Sequence, residues 1–283
     1  MATRSPLSQA GDAAADAVHE VAPWIERLAR LGFLAKAVLY VTIGALAALA
    51  ALGEGGQAGP DSRGAMVALL RQPYGRALLG VIALGLFGYA LWRIVEGITD
   101  PEGRGHGAGG LARRARSLAT AVLHGGLGYS ALLLALGTGG GRGGGPQARH
   151  WTAQALATPG GITALYLVAA AFITYGAYQL VQAARSKLAR QLALGRLSAR
   201  ARAWVVGTSR VGIAARGVVF GMVGVLLARA TARRDPSEAG GIGDSLRELV
   251  TLGRWPFVAV AVGLIAYGVY QAINARYRRI AVG

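Results

Sequence analysis

Tyr89, Arg93 and Glu96 are spaced i, i+4 and i+7, so on a helix they share one face. The same spacing returns as Tyr175, Gln179 and Gln182, and again as Tyr267, Gln271 and Asn274. A phenol followed by a cation or amide, and then by a carboxylate or amide, can bind an ion or a small polar solute. Lys36, Arg216 and His124 lie in neighbouring apolar runs. Lys36 or Arg93 is expected to pair with Glu96. Arg216 has Gln271 and Asn274 as expected partners but no carboxylate, and such an arginine welcomes an anion or a lipid phosphate. His124 reads either as a proton relay or ligand, or as a packed, hydrogen-bonded core histidine. An interfacial belt formed by Trp92, Tyr178 and Tyr270, with Arg93 snorkelling, explains any single copy of the stripe. Such a belt does not require tyrosine on the polar face in all three copies.

The surroundings say what must hold these residues. The chain of 283 residues is 53% hydrophobic and only 15% charged, with a formal net charge of +17 and a mean hydropathy of +0.42. Long uncharged runs alternate with short arginine-rich segments, the pattern of a polytopic helical membrane protein. The runs are Phe33–Leu52, Ala77–Ile98, Leu118–Gly137, Gly160–Ala184, Val211–Ala228 and Trp255–Ala275. The fifth spans only if Arg216 and Arg229 snorkel to opposite interfaces; otherwise it is re-entrant or lies on the surface. Of the 30 lysines and arginines, three (Lys36, Arg93, Arg216) sit inside spans, 17 on the side of the N-terminus and 10 on the other. Both termini are therefore expected in the cytoplasm of a multi-pass protein of the bacterial inner membrane. The basic excess is explained by lipid-flanking arginines, so nucleic acid is not an expected partner.

With the three tyrosines in register, the preceding helices align as well. "RLGFLAKAVLY" (30–40) matches "RVGIAARGVVF" (210–220), and the more diverged "RARSLATAVLH" (114–124) places Thr120 and His124 where the others have Lys36/Arg216 and Tyr40/Phe220. Gly44, Gly128 and Gly224 share one position, and small residues such as Gly217 and Gly221 allow close helix approach. Each unit reads helix, glycine loop, short surface helix, helix. Two spans return the chain to its starting side, so the copies share one orientation, and six helices around a pseudo-threefold axis is the simplest arrangement. The expected parts are an amphipathic N-terminal segment (1–29), repeats at 30–103, 112–184 and 208–279, and a basic linker (185–207). Pro23 is expected to break the first segment. The faces at 13–31 (Val18, Val21, Ile25, Leu28) and 185–204 (Leu188, Leu192, Leu197) suit an anionic leaflet.

The "RxGFxAKxVxY" opening, the "GAxxxL" segment after the glycine loop and the "GYxxW" ending resemble the bacterial membrane family known as domain of unknown function 1206. The resemblance covers about residues 28–275. It implies six spans in three repeats and supplies no activity.

The chain has no cysteine, which excludes disulfides and thiolate sites. No Ser-His-Asp set, HExxH or paired-carboxylate motif appears, so an enzyme, a metal site and a cofactor are not expected. "GTGGGRGGGPQ" (137–147) lacks the Gly-Lys-Ser/Thr of a phosphate loop and reads as a linker. Two functions follow. In the first, the stripes, with Lys36, Arg216 and His124, line a net basic, cytoplasm-facing vestibule that binds or conducts an ion or small solute. In the second, a non-transporting scaffold binds anionic lipid headgroups or a protein partner. Oligomerisation is left open.

Overall fold

The computed structural model describes residues 6–53, 59–99, 107–139, 144–185, 195, 197–251 and 253–278. These residues form nine α-helices and a short 3-10 turn at Pro236–Glu238, with no strand among the described residues. The helices are α1 (Pro6–Ala51), α2 (Ser62–Leu70), α3 (Gly75–Thr99), α4 (Ala108–Ala135), α5 (Gly144–Leu156), α6 (Gly161–Ala184), α7 (Ala199–Arg233), α8 (Ile242–Thr251) and α9 (Arg254–Tyr277). Six of them, α1, α3, α4, α6, α7 and α9, are long and apolar enough to cross a membrane, which makes the chain a multi-pass membrane protein. The short helices α2, α5 and α8 lie on one side, called here the loop face. The starts of α4 and α7 and the ends of α3, α6 and α9 lie on the other, the terminal face. Pro23 does not break α1, which runs through it. Pro23 is exposed, so water can satisfy the carbonyl that its missing N–H leaves without a donor. The apolar face expected at Val18, Val21 and Ile25 and the segment carrying Leu188 and Leu192 lie outside the described side chains.

Packing follows the repeat. The second span of each unit packs on the first span of the next, as α3 on α4, α6 on α7, and α9 back on α1. The shared glycines explain this contact. A methyl placed on Gly44 would lie 2.7 Å from the Ala261 carbonyl oxygen, and one on Gly224 would lie 2.8 Å from that of Ala169. Gly128 meets the Ala83 carbonyl in the same way at 3.3 Å. Ala83, Ala169 and Ala261 each stand six residues before their tyrosine, so this is one interface made three times.

The hairpin interface inside a unit is made only twice. α1 packs on α3 and α7 on α9, but α4 and α6 make no comparable contact among the described residues. The six spans form a ring open between α4 and α6, rather than a closed one. The closed hairpins use Gly32 and Gly212, where a methyl would lie 2.5 Å from the Gly85 carbonyl oxygen and from Tyr267 Cα respectively. The middle repeat has Arg116 at that position, and Ala171 where the others have Gly85 and Gly263. A large side chain in a glycine contact holds the helices apart. Exposure records the result. Leu39 and Val219 are 3% and 1% exposed, whereas their counterpart Leu123 is 61% exposed.

On the loop face, Arg149 of α5 pairs with Asp244 of α8 at 2.9 Å. Arg229 pairs with Glu248 and Arg233 with Glu238. The first pair fastens the short helix of the middle repeat to the third, and the other two brace the third repeat internally.

Candidate functional site

The tyrosines that head the stripes all turn inward and meet the next repeat. Tyr89 packs on His124 with ring centroids 4.8 Å apart, Tyr175 on Phe220 at 5.5 Å, and Tyr267 on Tyr40 at 4.6 Å. This is a threefold girdle of one tyrosine and one ring per interface. Edge and tilted ring geometries of this kind add about 0.5–1.5 kcal/mol each beyond area burial.

The cations enter this girdle from the first span of repeats one and three. Lys36 Nζ stands 4.2 Å from the centroid of Tyr89. Arg216 lies over Phe220 (4.5 Å), Tyr267 (5.2 Å) and Tyr175 (5.6 Å). It donates from Nε to the Tyr40 hydroxyl (3.1 Å) and from Nη1 to the Tyr175 hydroxyl (3.0 Å) and Gln179 Oε1 (2.8 Å). Arg216 therefore does not snorkel, and its partners come from α1 and α6 rather than from Gln271 and Asn274. α7 crosses as one continuous helix with this arginine turned inward. Inserting an arginine at the centre of a span costs about 2.5–3.5 kcal/mol, which hydrogen bonds and ring faces offset in part.

In the first stripe Arg93 donates from Nε and Nη2 to the Tyr89 hydroxyl at 3.0 and 2.9 Å, and pairs through Nη1 with Glu96. Glu96 also accepts from Ser117 Oγ of α4 at 3.0 Å. Of the two expected partners for Glu96, Arg93 is the one found. Lys36 rests on Tyr89 instead. His124 is buried, and its Nδ1 donates to the Thr120 carbonyl at 2.8 Å. This is the packed histidine of the second expectation.

The other stripes diverge along their length. Gln179 is buried, and its Nε2 has no hydrogen-bond partner among the described residues. Gln182 donates to the hydroxyl of Tyr178 at the edge of the opening. Gln271 and Asn274 are buried, with Asn274 Nδ2 donating to the Tyr270 carbonyl at 2.9 Å. Two of the three expected belt residues are core residues. Trp92 and Tyr270 are 3% and 8% exposed, and only Tyr178, at 45%, faces outward. The tyrosines, Arg93, Gln179, Lys36, Arg216 and His124 thus converge on the axis, while Gln182 does not reach it.

Three arginines have a role that charge counting missed. Arg30 donates to the Ala275 carbonyl (2.7 Å), Arg114 to those of Gly97 (2.7 Å) and Ile98 (2.9 Å), and Arg210 to that of Ala184 (2.9 Å). Each closes the C-terminus of the second span of the preceding repeat, where orphan carbonyls and the negative dipole end attract a cation. The signal was the arginine that opens each copy of the motif. No cluster of three or more His, Asp or Glu suited to a metal exists among the described residues.

Comparison with known proteins agrees with this division. The model of a family described as "Domain of Unknown Function (DUF1206)" matches three times, over residues 31–100, 115–186 and 211–278. The chain is similar to an uncharacterized protein, YxxB, of Bacillus subtilis (strain 168), with 32% identity over 264 residues covering 93% of this chain and 94% of the relative. No solved structure matches the chain.

Proposed function

The chain belongs to the DUF1206 family, and from that premise we propose that it binds a small anion or anionic solute on the axis of its helix ring. One observation carries this reading. Lys36 and Arg93 both lie against Tyr89, and Arg216 lies against Tyr175 and Tyr267 of the same girdle, while Glu96 is the one carboxylate hydrogen-bonded to these cations among the described residues. Lys36 and Arg216 have phenols, an amide and ring faces as partners, and no acid among the described residues. Uncompensated positive charge inside a lipid-embedded ring favours an anion. The unpartnered Gln179 Nε2 beside Arg216 adds a donor. With both termini in the cytoplasm of a bacterial inner membrane, the polar end of the girdle faces the cytoplasm.

A second reading, a non-transporting membrane component, is favoured by the rings themselves, which occupy the axis. Binding and flux measurements separate the two. Purified chain is titrated with chloride, inorganic phosphate and acetate, and liposomes carrying it are assayed for uptake of the same anions. Lys36→Gln with Arg216→Gln should weaken binding about tenfold or more. Unchanged binding ends the proposal, uptake would add conduction to it, and an absence of saturable binding by the parent chain selects the second reading. Because the chain lacks cysteine, single cysteines at Tyr89, Arg93, Tyr175, Gln179, Tyr267 and Gln271 can be probed with a charged thiol reagent from each side. Labelling of all six from one side supports an aqueous approach.

A further inference from the structure

The opening between α4 and α6 carries its own chemistry, separate from the axial group. Its walls run the depth of the spans and are apolar where the closed hairpins would meet. Leu123 of α4 and Val168 of α6 are both exposed, although their counterparts Leu39 and Val219, and Ile82 and Val260, are buried. Neither α4 nor α6 contains an acidic residue. At the terminal-face end stands Arg116. It is exposed, within Coulombic reach of Tyr175 across the opening, and its guanidinium makes no hydrogen bond or ion pair among the described residues, although its carbonyl accepts from Thr120 Oγ1 at 2.7 Å. It also stands four residues before Thr120, which occupies the position of Lys36 and Arg216. The middle repeat thus lacks an inner cation and carries one a helical turn nearer the membrane surface, about 6 Å away. Beside the opening, the Tyr178 hydroxyl accepts from Gln182, which leaves its own proton free to donate.

We infer that the opening is a binding site for an acidic phospholipid. The headgroup phosphate pairs with Arg116, and an acyl chain lies against Leu123, Val168 and Ala171. The depth assigns the occupant. Arg116 sits near the end of a span, where headgroups lie, and the wall beyond it is hydrocarbon-facing and has nothing for a water-soluble anion to bind. The charge assigns the headgroup. A guanidinium opposed by no carboxylate on either wall favours a net negative phosphodiester over a zwitterionic one.

The test uses the full chain in detergent, titrated with phosphatidylglycerol and, separately, with phosphatidylcholine, glycerol phosphate and inorganic phosphate, with bound species counted by native mass spectrometry. One phosphatidylglycerol should be retained in preference to phosphatidylcholine. Arg116→Gln should weaken its retention about tenfold, while Arg116→Lys keeps most of it. Leu123→Trp, which fills the opening, should lower retention of both lipids, and Arg216→Gln should leave phosphatidylglycerol retention unchanged. Equal retention by wild type and Arg116→Gln overturns the inference. So does competition by glycerol phosphate or inorganic phosphate at the affinity of the lipid, or a dimer that sheds lipid as it forms. Loss of lipid on Arg216→Gln alone would move the lipid to the axis and also overturn it. Failure of this site leaves the axial anion reading standing, because the two rest on different arginines.

Discussion

Repeats one and three fold as closed hairpins and the middle repeat as an open one, although all three are joined to their neighbours by the same interface. The difference teaches which contacts define the unit. What the three copies share is the surface between repeats, namely the glycine against an alanine carbonyl, the tyrosine against a ring, and the arginine over a helix end. The surface inside a repeat depends on Gly32 against Gly85 in the first repeat, and on Gly212 against Tyr267 and Gly263 against Ala215 in the third. It is absent where Arg116 and Ala171 stand instead, while the ring is held by its other five joints.

The comparison can be broken most severely by moving the middle repeat's residue into a closed one. Gly32→Arg should force α1 from α3 and lower stability by at least about 3 kcal/mol, read as a fall in the thermal midpoint in detergent. Arg93→Gln should cost about 3–5 kcal/mol because it breaks the buried pair with Glu96, and Glu96→Gln in the same chain should restore much of it. On the loop face, Asp244 is partly buried, which opposes its ionisation. The Gly241 N–H, Arg247 and Arg149 outweigh this and hold its carboxyl below the usual carboxylate range. A depressed carboxylate contributes fully above its ordinary value near 4, and that contribution is lost as pH falls through the folded value. The thermal midpoint should therefore drop as pH is taken below about 4, and Asp244→Asn should remove part of that dependence at a cost of about 1 kcal/mol. The smallest effect is expected from the converse exchange. Arg116→Gly with Ala171→Gly should let α4 approach α6, so that cysteines at Leu123 and Val168 cross-link where they do not in the parent chain. Stability should change by less than about 1 kcal/mol.

The fold was largely legible because its signals are long. Six apolar runs, the register of the three tyrosines and the shared glycines each span enough residues for length and period to decide them. The inward turn of the stripes was also readable, since Tyr89, Tyr175 and Tyr267 share a face with their polar neighbours. What could not be read was which element supplies each partner. Arg216 finds Tyr40, 176 residues away, and Tyr175 on a helix of another repeat, and no local spacing encodes such a contact. The opening had a visible mark, Arg116 in the column of Gly32 and Gly212. That mark gains meaning only once those glycines are seen to touch a facing helix.

The joint between α9 and α1 has a consequence for biosynthesis. Arg30, near the membrane-spanning part of α1, hydrogen-bonds to the carbonyl of Ala275 in α9, which is made 245 residues later. Until α9 has been made, the Gly44 surface is uncovered and that guanidinium holds Glu26 of its own helix in place of the Ala275 carbonyl. The α1–α3 hairpin must therefore wait in the bilayer with one flank uncovered, and the ring latches only once α9 has entered beside it.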